Sequence, residues 1–171
     1  DIRDGTTAAK YEFFQSCIIE LEGVITLAEN YAAEARRLSE SADESEKQEL
    51  LELATVLDRV PAKPARTFRE ALQSIQLFLY SLYGIYSAGR PDQYLLSYYR
   101  RDIESGILDE ESAQELIDCF CLQYMNNMSA WAAAGFMIGG RDPEGKAVEN
   151  ELTWHFLIAI AHTHIPDPNV G

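Results

Sequence analysis

One short segment concentrates side chains that could bind a substrate. Residues 86–94 read Tyr-Ser-Ala-Gly-Arg-Pro-Asp-Gln-Tyr and place hydroxyls, a guanidinium, a carboxylate and an amide around a predicted helix start. Gly89 permits a tight turn there. Arg90 can clamp a carboxylate through two parallel hydrogen bonds, or it pairs with Asp92 or a helix C-terminus and only fixes the loop. The residues leave both roles open, and they favour loop fixing.

A second set of polar side chains lies on the last predicted helix. Glu151, His155 and His162 share one helical face, and His164 and Asp167 follow closely. Imidazole and carboxylate donors suit zinc or iron. However, His155 and His162 lie two turns apart, about 10 Å along the axis, which is too far for one ion without further ligands. We therefore predict no metal site and expect histidines that form hydrogen bonds near a helix end.

The remaining reactive groups match no catalytic motif. Cys119 and Cys121 sit two residues apart on a predicted helix, so their thiols face different directions, and buried free thiols are expected. Gly139-Gly140 lacks the lysine–hydroxyl pair of a phosphate-binding loop. The sequence contains no G-x-S-x-G nucleophile elbow. We assign no catalytic residue within this chain.

Six predicted helices and one short strand must position these side chains. The helices cover about 7–38, a segment ending near 57, then 68–83, 92–104, 110–128 and 148–162, and the strand covers 136–138. The first helix carries one apolar stripe at helical spacing, which predicts a face packed on the core. The stripe consists of Tyr11, Phe14, Ile18, Leu21, Ile25, Ala28, Ala32 and Ala35. Because the helix over 68–83 is apolar on most sides, we expect it to be buried on several sides.

Local signals predict where the helices start and stop. Ser41 with Glu44, and Thr67 with Glu70, match the capping box. Asp109 is a predicted N-cap. Ser105-Gly106 predicts a helix end, and residues 142–145 match a type I turn.

Composition restricts the class of protein. The chain has 171 residues, a net charge of −14 and three cysteines. The negative charge disfavours nucleic acid, and no apolar run is long enough to span a membrane. The odd, small number of cysteines indicates a reduced, cytoplasmic protein. We find no internal repeat or domain boundary, and the missing initiator Met leads us to expect a longer native protein.

Four stretches resemble the glycyl radical enzymes, in the order that this family has them. They are V-P (60–61) with P-A-R-T-F-R-E-A-L-Q-S (64–74); S-A-G-R-P-D-Q-Y-L (87–95) with Y-Y-R-R-D-I (98–103); Q-E-L-I-D-C (114–119); and I-G-G-R-D-P-E-G (138–145) with N-E-L-T (150–153) and P-D-P-N (166–169). The resemblance covers about residues 50–171.

This resemblance implies a ten-stranded α/β barrel surrounded by helices, similar to pyruvate formate-lyase. The chain would then be a mainly helical portion of that barrel, with one or two short strands. Family members carry a backbone glycyl radical that a separate S-adenosylmethionine activase installs, and this radical oxidises a cysteine whose thiyl attacks the substrate. The implied activities are those of a radical lyase or a formate acetyltransferase, and the implied partners are the rest of the barrel, the activase and a second subunit.

The resemblance also indicates which catalytic parts of the family have no counterpart in this chain. The family's radical glycine and cysteine loop have no counterpart among these residues, so we expect the chain to be inactive by itself. By position, Tyr86, Ser87 and Trp131 are candidates for lining the substrate cavity, whereas Arg90, Asp92 and Gln93 are predicted to fix the loop. Residues 74–87 and 126–134 look shorter than in relatives, so the substrate class is left open.

Two other functions compete with this interpretation. The stripe from Tyr11 to Ala35 would be the partner surface of a non-catalytic helical interaction module. Alternatively, Glu151, His155 and His162 would belong to a helical metal-binding protein.

Overall fold

In the residues that the structure describes, the chain is mainly α-helical with two very short strands, which agrees with the helical portion of a barrel that the resemblance implies. The computed structural model describes residues 5–81, 87–126, 135–164 and 169–170. The elements are α1 (Gly5–Ser39), α2 (Glu44–Leu57), α3 (Phe68–Ser81), α4 (Pro91–Tyr94), α5 (Leu96–Glu104), α6 (Glu110–Asn126), β1 (Gly135–Phe136), α7 (Glu151–Thr163) and β2 (Asn169–Val170). None of the described helices is long and apolar enough to cross a membrane.

The backbone groups into two compact units, Asp1–Pro64 and Ala65–Gly171. The expectation of a single segment without an internal domain boundary stays a prediction.

The first unit is a helical hairpin of unequal arms. Val24, Ala28, Ala32 and Ala35 of α1 are buried, and so are two residues of α2. With 35 residues α1 is roughly 50 Å long, whereas the 14 residues of α2 reach roughly 20 Å. The stripe therefore continues past its partner, and Tyr11 and Phe14 are 64% and 59% exposed. The prediction that the whole stripe faces a core is wrong for its N-terminal half.

Asp43, not Ser41, caps α2. Its carboxylate accepts hydrogen bonds from the backbone N–H groups of Ser45 and Glu46, both at 3.0 Å. The Ser41 hydroxyl instead donates to the carbonyl of Leu38. A carboxylate one residue before the helix outcompetes the predicted hydroxyl, because it also interacts favourably with the positive end of the helix dipole.

The second unit has an aromatic core between α3, α5, α6 and α7. Rings contact edge to face in the pairs Phe68–Tyr99, Tyr124–Phe136 and Phe136–Phe156, with centroids 5.1–5.8 Å apart. Such contacts add stability beyond that of the area they bury. Phe136 of β1 therefore packs against Tyr124 of α6, which precedes it in the sequence, and against Phe156 of α7, which follows it.

Two acceptors fix the start of α3. The Thr67 hydroxyl accepts the Glu70 N–H at 3.1 Å, as predicted. The buried carboxylate of Asp102 accepts the Phe68 N–H at 2.6 Å. Both satisfy N–H groups that a helix leaves without intrahelical partners.

Other boundaries differ from the sequence prediction by a few residues. The helix predicted over 92–104 is divided at Leu95 into two helices, α4 and α5. Asp109 caps α6 through the Ser112 N–H, and Gly106 has the positive φ expected of a helix end. Strand β1 pairs in parallel with β2, with Gly135 opposite Asn169. Helix α7 begins at Glu151, three residues later than predicted.

Candidate functional site

The loop of residues 87–90 leads directly into α4. Of the three residues predicted to line a cavity, the structure describes only Ser87. Tyr86 and Trp131 lie outside the described residues. Ser87 is exposed, and its hydroxyl accepts the Gly89 N–H at 3.1 Å. Gly89 has φ +70°, a left-handed conformation that side chains other than glycine rarely adopt.

Asp92 is the buried centre of the arrangement. Its side chain is fully buried, and Oδ2 accepts from the Gly139 N–H at 2.6 Å, the Thr153 hydroxyl at 2.7 Å and the Gln93 amide at 3.0 Å. A buried carboxylate is tolerated only when such donors compensate for the lost water. Its second oxygen, Oδ1, is buried without a partner in the part of the chain that the structure describes. Asp92 therefore links α4 and α7 to the turn at Gly139 and Gly140, which we call the glycine turn.

Arg90 contacts the same glycine turn from the other side. Its guanidinium donates to the Gly139 carbonyl and lies against Gly140. Gly139 and Gly140 have φ +61° and +87°, so this turn needs glycine at both positions. Of the two roles that the sequence leaves open for Arg90, this contact favours loop fixing. Gln93 donates to the carbonyl of Val148 at 2.9 Å, and the Val148 N–H in turn donates to the Gly140 carbonyl at 3.1 Å.

Two residues of this arrangement, Asn150 and Thr153, are missing from the sequence prediction. Asn150 caps α7 by accepting from the Leu152 and Thr153 N–H groups, and its amide donates to the Asp92 carbonyl at 3.1 Å. The Thr153 hydroxyl accepts the Asn150 N–H while donating to Asp92. The spacing of Asn150 and Thr153 is that of a capping box, which would have revealed the helix start. No local pattern indicates their contact with Asp92, 58 to 61 residues away.

Backbone bonds and two tyrosines complete the support of the loop. The Met137 N–H donates to the Gly89 carbonyl at 2.8 Å. The Tyr94 hydroxyl donates to the Ala88 carbonyl at 2.8 Å, and the Tyr124 hydroxyl accepts the Ala88 N–H at 3.2 Å. A tyrosine hydroxyl is protonated at neutral pH, and burial raises the pKa of Tyr94 further, to about 12. The loop that presents Ser87 is thus fixed by contacts from α4, from α6 and from the segment that follows β1.

The histidines of α7 take part in a polar network, separate from this loop. His155 Nε2 lies 3.1 Å from the Tyr99 hydroxyl, and its Nδ1 lies 2.7 Å from the Gln114 amide oxygen. The Gln114 amide nitrogen donates to Asp118, whose other oxygen lies 2.9 Å from His162 Nδ1. Among the described residues, no three histidine, cysteine or acidic side chains are grouped to hold a metal. The metal-binding alternative therefore has no support in the part of the chain described.

The thiols of α6 are poor nucleophiles. Burial raises the pKa of the Cys121 thiol to about 12 and also raises that of Cys119. A thiol with a raised pKa forms little of the reactive thiolate near neutral pH. The surroundings of these two thiols therefore do not activate either of them as a nucleophile.

Comparison with known proteins gives a family match over the whole chain. Residues 1–171 match the family described as pyruvate formate lyase-like. Among curated proteins, an indoleacetate decarboxylase of Tractidigestivibacter scatoligenes is 38% identical over 96% of this chain and 21% of its own length. A trans-4-hydroxy-L-proline dehydratase of Clostridioides difficile is 29% identical over 91% of this chain and 22% of its own. An isethionate sulfite-lyase of Bilophila wadsworthia is 34% identical over 92% of this chain and 22% of its own. The chain thus spans about a fifth of the length of these relatives.

Solved structures agree in fold. A protein of 1,2-propanediol dehydration in Roseburia inulinivorans superposes with a TM-score of 0.92 at 32% identity, over 100% of this chain and 23% of its own. The B12-independent glycerol dehydratase of Clostridium butyricum gives a TM-score of 0.90 at 28% identity, over 99% of this chain and 23% of its own.

Proposed function

Because the chain belongs to the pyruvate formate lyase-like family of glycyl radical enzymes, we propose that its parent protein is a radical lyase that breaks a C–C or C–heteroatom bond. The observation that carries this proposal is the match of a decarboxylase, a dehydratase and a sulfite-lyase over more than nine-tenths of the chain. None of these three is a formate acetyltransferase, so we favour bond cleavage over acyl transfer.

The role we propose for the described residues is structural support of the substrate cavity. Asp92, Arg90 and Gln93 hold the loop against the glycine turn through the contacts of Asp92 and Arg90 with Gly139. This fixes Ser87, which we propose lines the cavity together with Tyr86 and Trp131. A rigid loop would hold Ser87 in one position against the substrate, and small misplacements of a bound substrate lower the reaction rate strongly.

The chemistry itself belongs to other parts of the parent protein. We propose that the parent carries a glycyl radical installed by an S-adenosylmethionine activase, and that the 171-residue chain alone is inactive. The proposed partners are the rest of the barrel, the activase and a second subunit in a homo-oligomer. We propose a cytoplasmic location under anaerobic conditions, where organic radicals persist.

Electron paramagnetic resonance tests the proposal. The 171-residue chain and the full-length parent are each treated anaerobically with the activase. We expect a glycyl radical doublet from the parent and none from the chain. A doublet from the chain would show that it carries its own radical site. A parent without a doublet, or without a downstream barrel in its gene, would overturn the lyase proposal and favour the interaction module.

The cavity assignment has its own test in the full-length protein. Ser87→Ala should lower kcat/KM while the radical yield stays at the wild-type level. The matched control is Ser112→Ala, because Ser112 is an exposed hydroxyl on α6. Unchanged kcat/KM for Ser87→Ala would remove Ser87 from the cavity.

A further inference from the structure

Residues 136–138, which begin in β1, alternate between the core and the exterior. Phe136 is 1% exposed and lies among the aromatic rings of the second unit, and Ile138 packs against the same core. Met137, between them, is 55% exposed. Because successive side chains of an extended segment point to opposite faces, Met137 points away from the core that its two neighbours contact.

The loop of residues 87–90 has a matching alternation next to this segment. Ala88 packs against the aromatic core, whereas Ser87 is exposed. The Met137 N–H donates to the Gly89 carbonyl at 2.8 Å, so the loop and the end of the strand lie side by side. Ser87 and Met137 are therefore both directed away from the core, on adjacent segments.

Tyr124 fixes the two segments to each other at a second point. Its hydroxyl accepts the Ala88 N–H and donates to the Gly135 carbonyl, both at 3.2 Å. Ser87 lies two residues before the partner of Met137, which is a separation of about 7 Å at most, and Cα atoms on adjacent extended segments are about 5 Å apart. The Cα atoms of Ser87 and Met137 are thus within about 12 Å of each other, so one small molecule can contact both side chains.

The two side chains offer different contacts to a bound molecule. The Ser87 hydroxyl accepts the Gly89 N–H, and the described residues provide no acceptor for its hydrogen, which is left to donate to an oxygen of a ligand. Met137 has no hydrogen to donate, and its unbranched thioether side chain adapts to hydrocarbon surfaces of irregular shape. A ligand that uses both has an oxygen acceptor at one end and a hydrocarbon portion at the other.

We propose that Met137 is a specificity-determining residue of the parent's substrate cavity, where it contacts the hydrocarbon portion of a substrate whose oxygen acceptor faces Ser87. The substrate class is then an organic acid or alcohol with a hydrocarbon portion, and not a molecule that is polar throughout. The inference rests on the proposed function, in which Ser87 lines the cavity.

Two carboxylates that differ only in chain length test the inference by binding to the full-length parent without the radical. Acetate and butyrate share the group that would face Ser87, and butyrate has two more methylene groups, each worth roughly a factor of four in affinity when fully buried. We expect the wild type to bind butyrate several-fold more tightly than acetate. Met137→Ser should remove most of this preference by weakening butyrate alone, whereas Met137→Leu, of similar volume, should retain it. Dissociation constants from saturation-transfer nuclear magnetic resonance give the ratio.

The control is Leu122→Ser, at an exposed apolar position of α6, which should leave the butyrate-to-acetate ratio unchanged. Ser87→Ala should weaken both carboxylates by the same factor. A wild-type ratio in Met137→Ser would overturn the proposal, and with a lowered melting temperature it would assign Met137 to packing. A wild type without preference for butyrate, or a Ser87→Ala protein with unchanged affinities, would also overturn it. Binding is measured without the radical, so a parent that shows the expected ratios but yields no doublet would defeat the radical lyase proposal alone.

Discussion

Removing the Asp92 carboxylate should destabilise the second unit strongly. Asp92→Ala leaves the Gly139 N–H and the Thr153 hydroxyl buried without their acceptor, whereas the Gln93 amide keeps the Val148 carbonyl. Each orphaned buried donor costs about 1–3 kcal/mol, and relief from burying the carboxylate offsets part of this. We therefore expect the free energy of unfolding to fall by about 3 kcal/mol.

The assay is urea unfolding of the 171-residue chain, followed by circular dichroism. Asp92→Asn keeps an amide oxygen as acceptor but loses the charge assistance and places its NH2 group where Oδ1 has no partner, so it should lose roughly half as much or more. Glu111→Ala, at an exposed position of α6, is the control. In a double-mutant cycle with Thr153→Val, the two residues should couple by about 0.5–3 kcal/mol. An Asp92→Ala protein within about 0.5 kcal/mol of wild type would refute the reasoning, since this is the range of ordinary surface changes.

Three further predictions concern the same chain. Thr67→Ala should cost about 1 kcal/mol through loss of the α3 cap, and Thr67→Ser much less; equal urea midpoints for wild type and Thr67→Ala would contradict the cap. Arg90→Ala should cost about 1–3 kcal/mol because the Gly139 carbonyl loses a charged donor. An Arg90→Ala unfolding curve identical to wild type would instead assign Arg90 to substrate. The isolated chain should self-associate, since the exposed half of α1 forms an extended apolar surface. Sedimentation across a concentration series should show less association for Phe14→Glu with Ile18→Glu, and a sharply melting wild-type monomer would contradict this expectation.

Much of the secondary structure follows from local sequence patterns. Thr67, Asp109 and Gly106 act within one turn of their own position, so their side chains or backbone preferences reveal the helix ends. The exceptions also have local causes. Asp43 replaces Ser41 as a cap because two candidates lie close together, and the pattern does not rank them.

The candidate site was less predictable, since its contacts join distant parts of the chain. Asp92 and Gln93 stand out in the sequence, but their partners Gly139, Val148 and Thr153 lie 47 to 61 residues away. Helical periodicity indicates that one face of a helix is apolar, but it does not indicate which element packs against that face. Periodicity alone therefore predicts that the whole α1 stripe lies against a core, although α2 is too short to reach Tyr11.

The Gln114 side chain determines the tautomer of His155. Its amide nitrogen faces two groups that only accept, Asp118 Oδ1 at 2.7 Å and the His155 carbonyl at 3.0 Å. The amide oxygen must then face His155 Nδ1, which carries the hydrogen. In the neutral ring Nε2 is left as an acceptor, 3.1 Å from the hydroxyl of Tyr99, whose pKa is raised to about 12 by burial and by the neighbouring Glu110 carboxylate. Helices α5, α6 and α7 are thereby joined by hydrogen bonds around Gln114, which accepts from His155 and donates to Asp118 and the His155 carbonyl. Gln114→Glu would keep the acceptor but place a second carboxylate oxygen against those two acceptors.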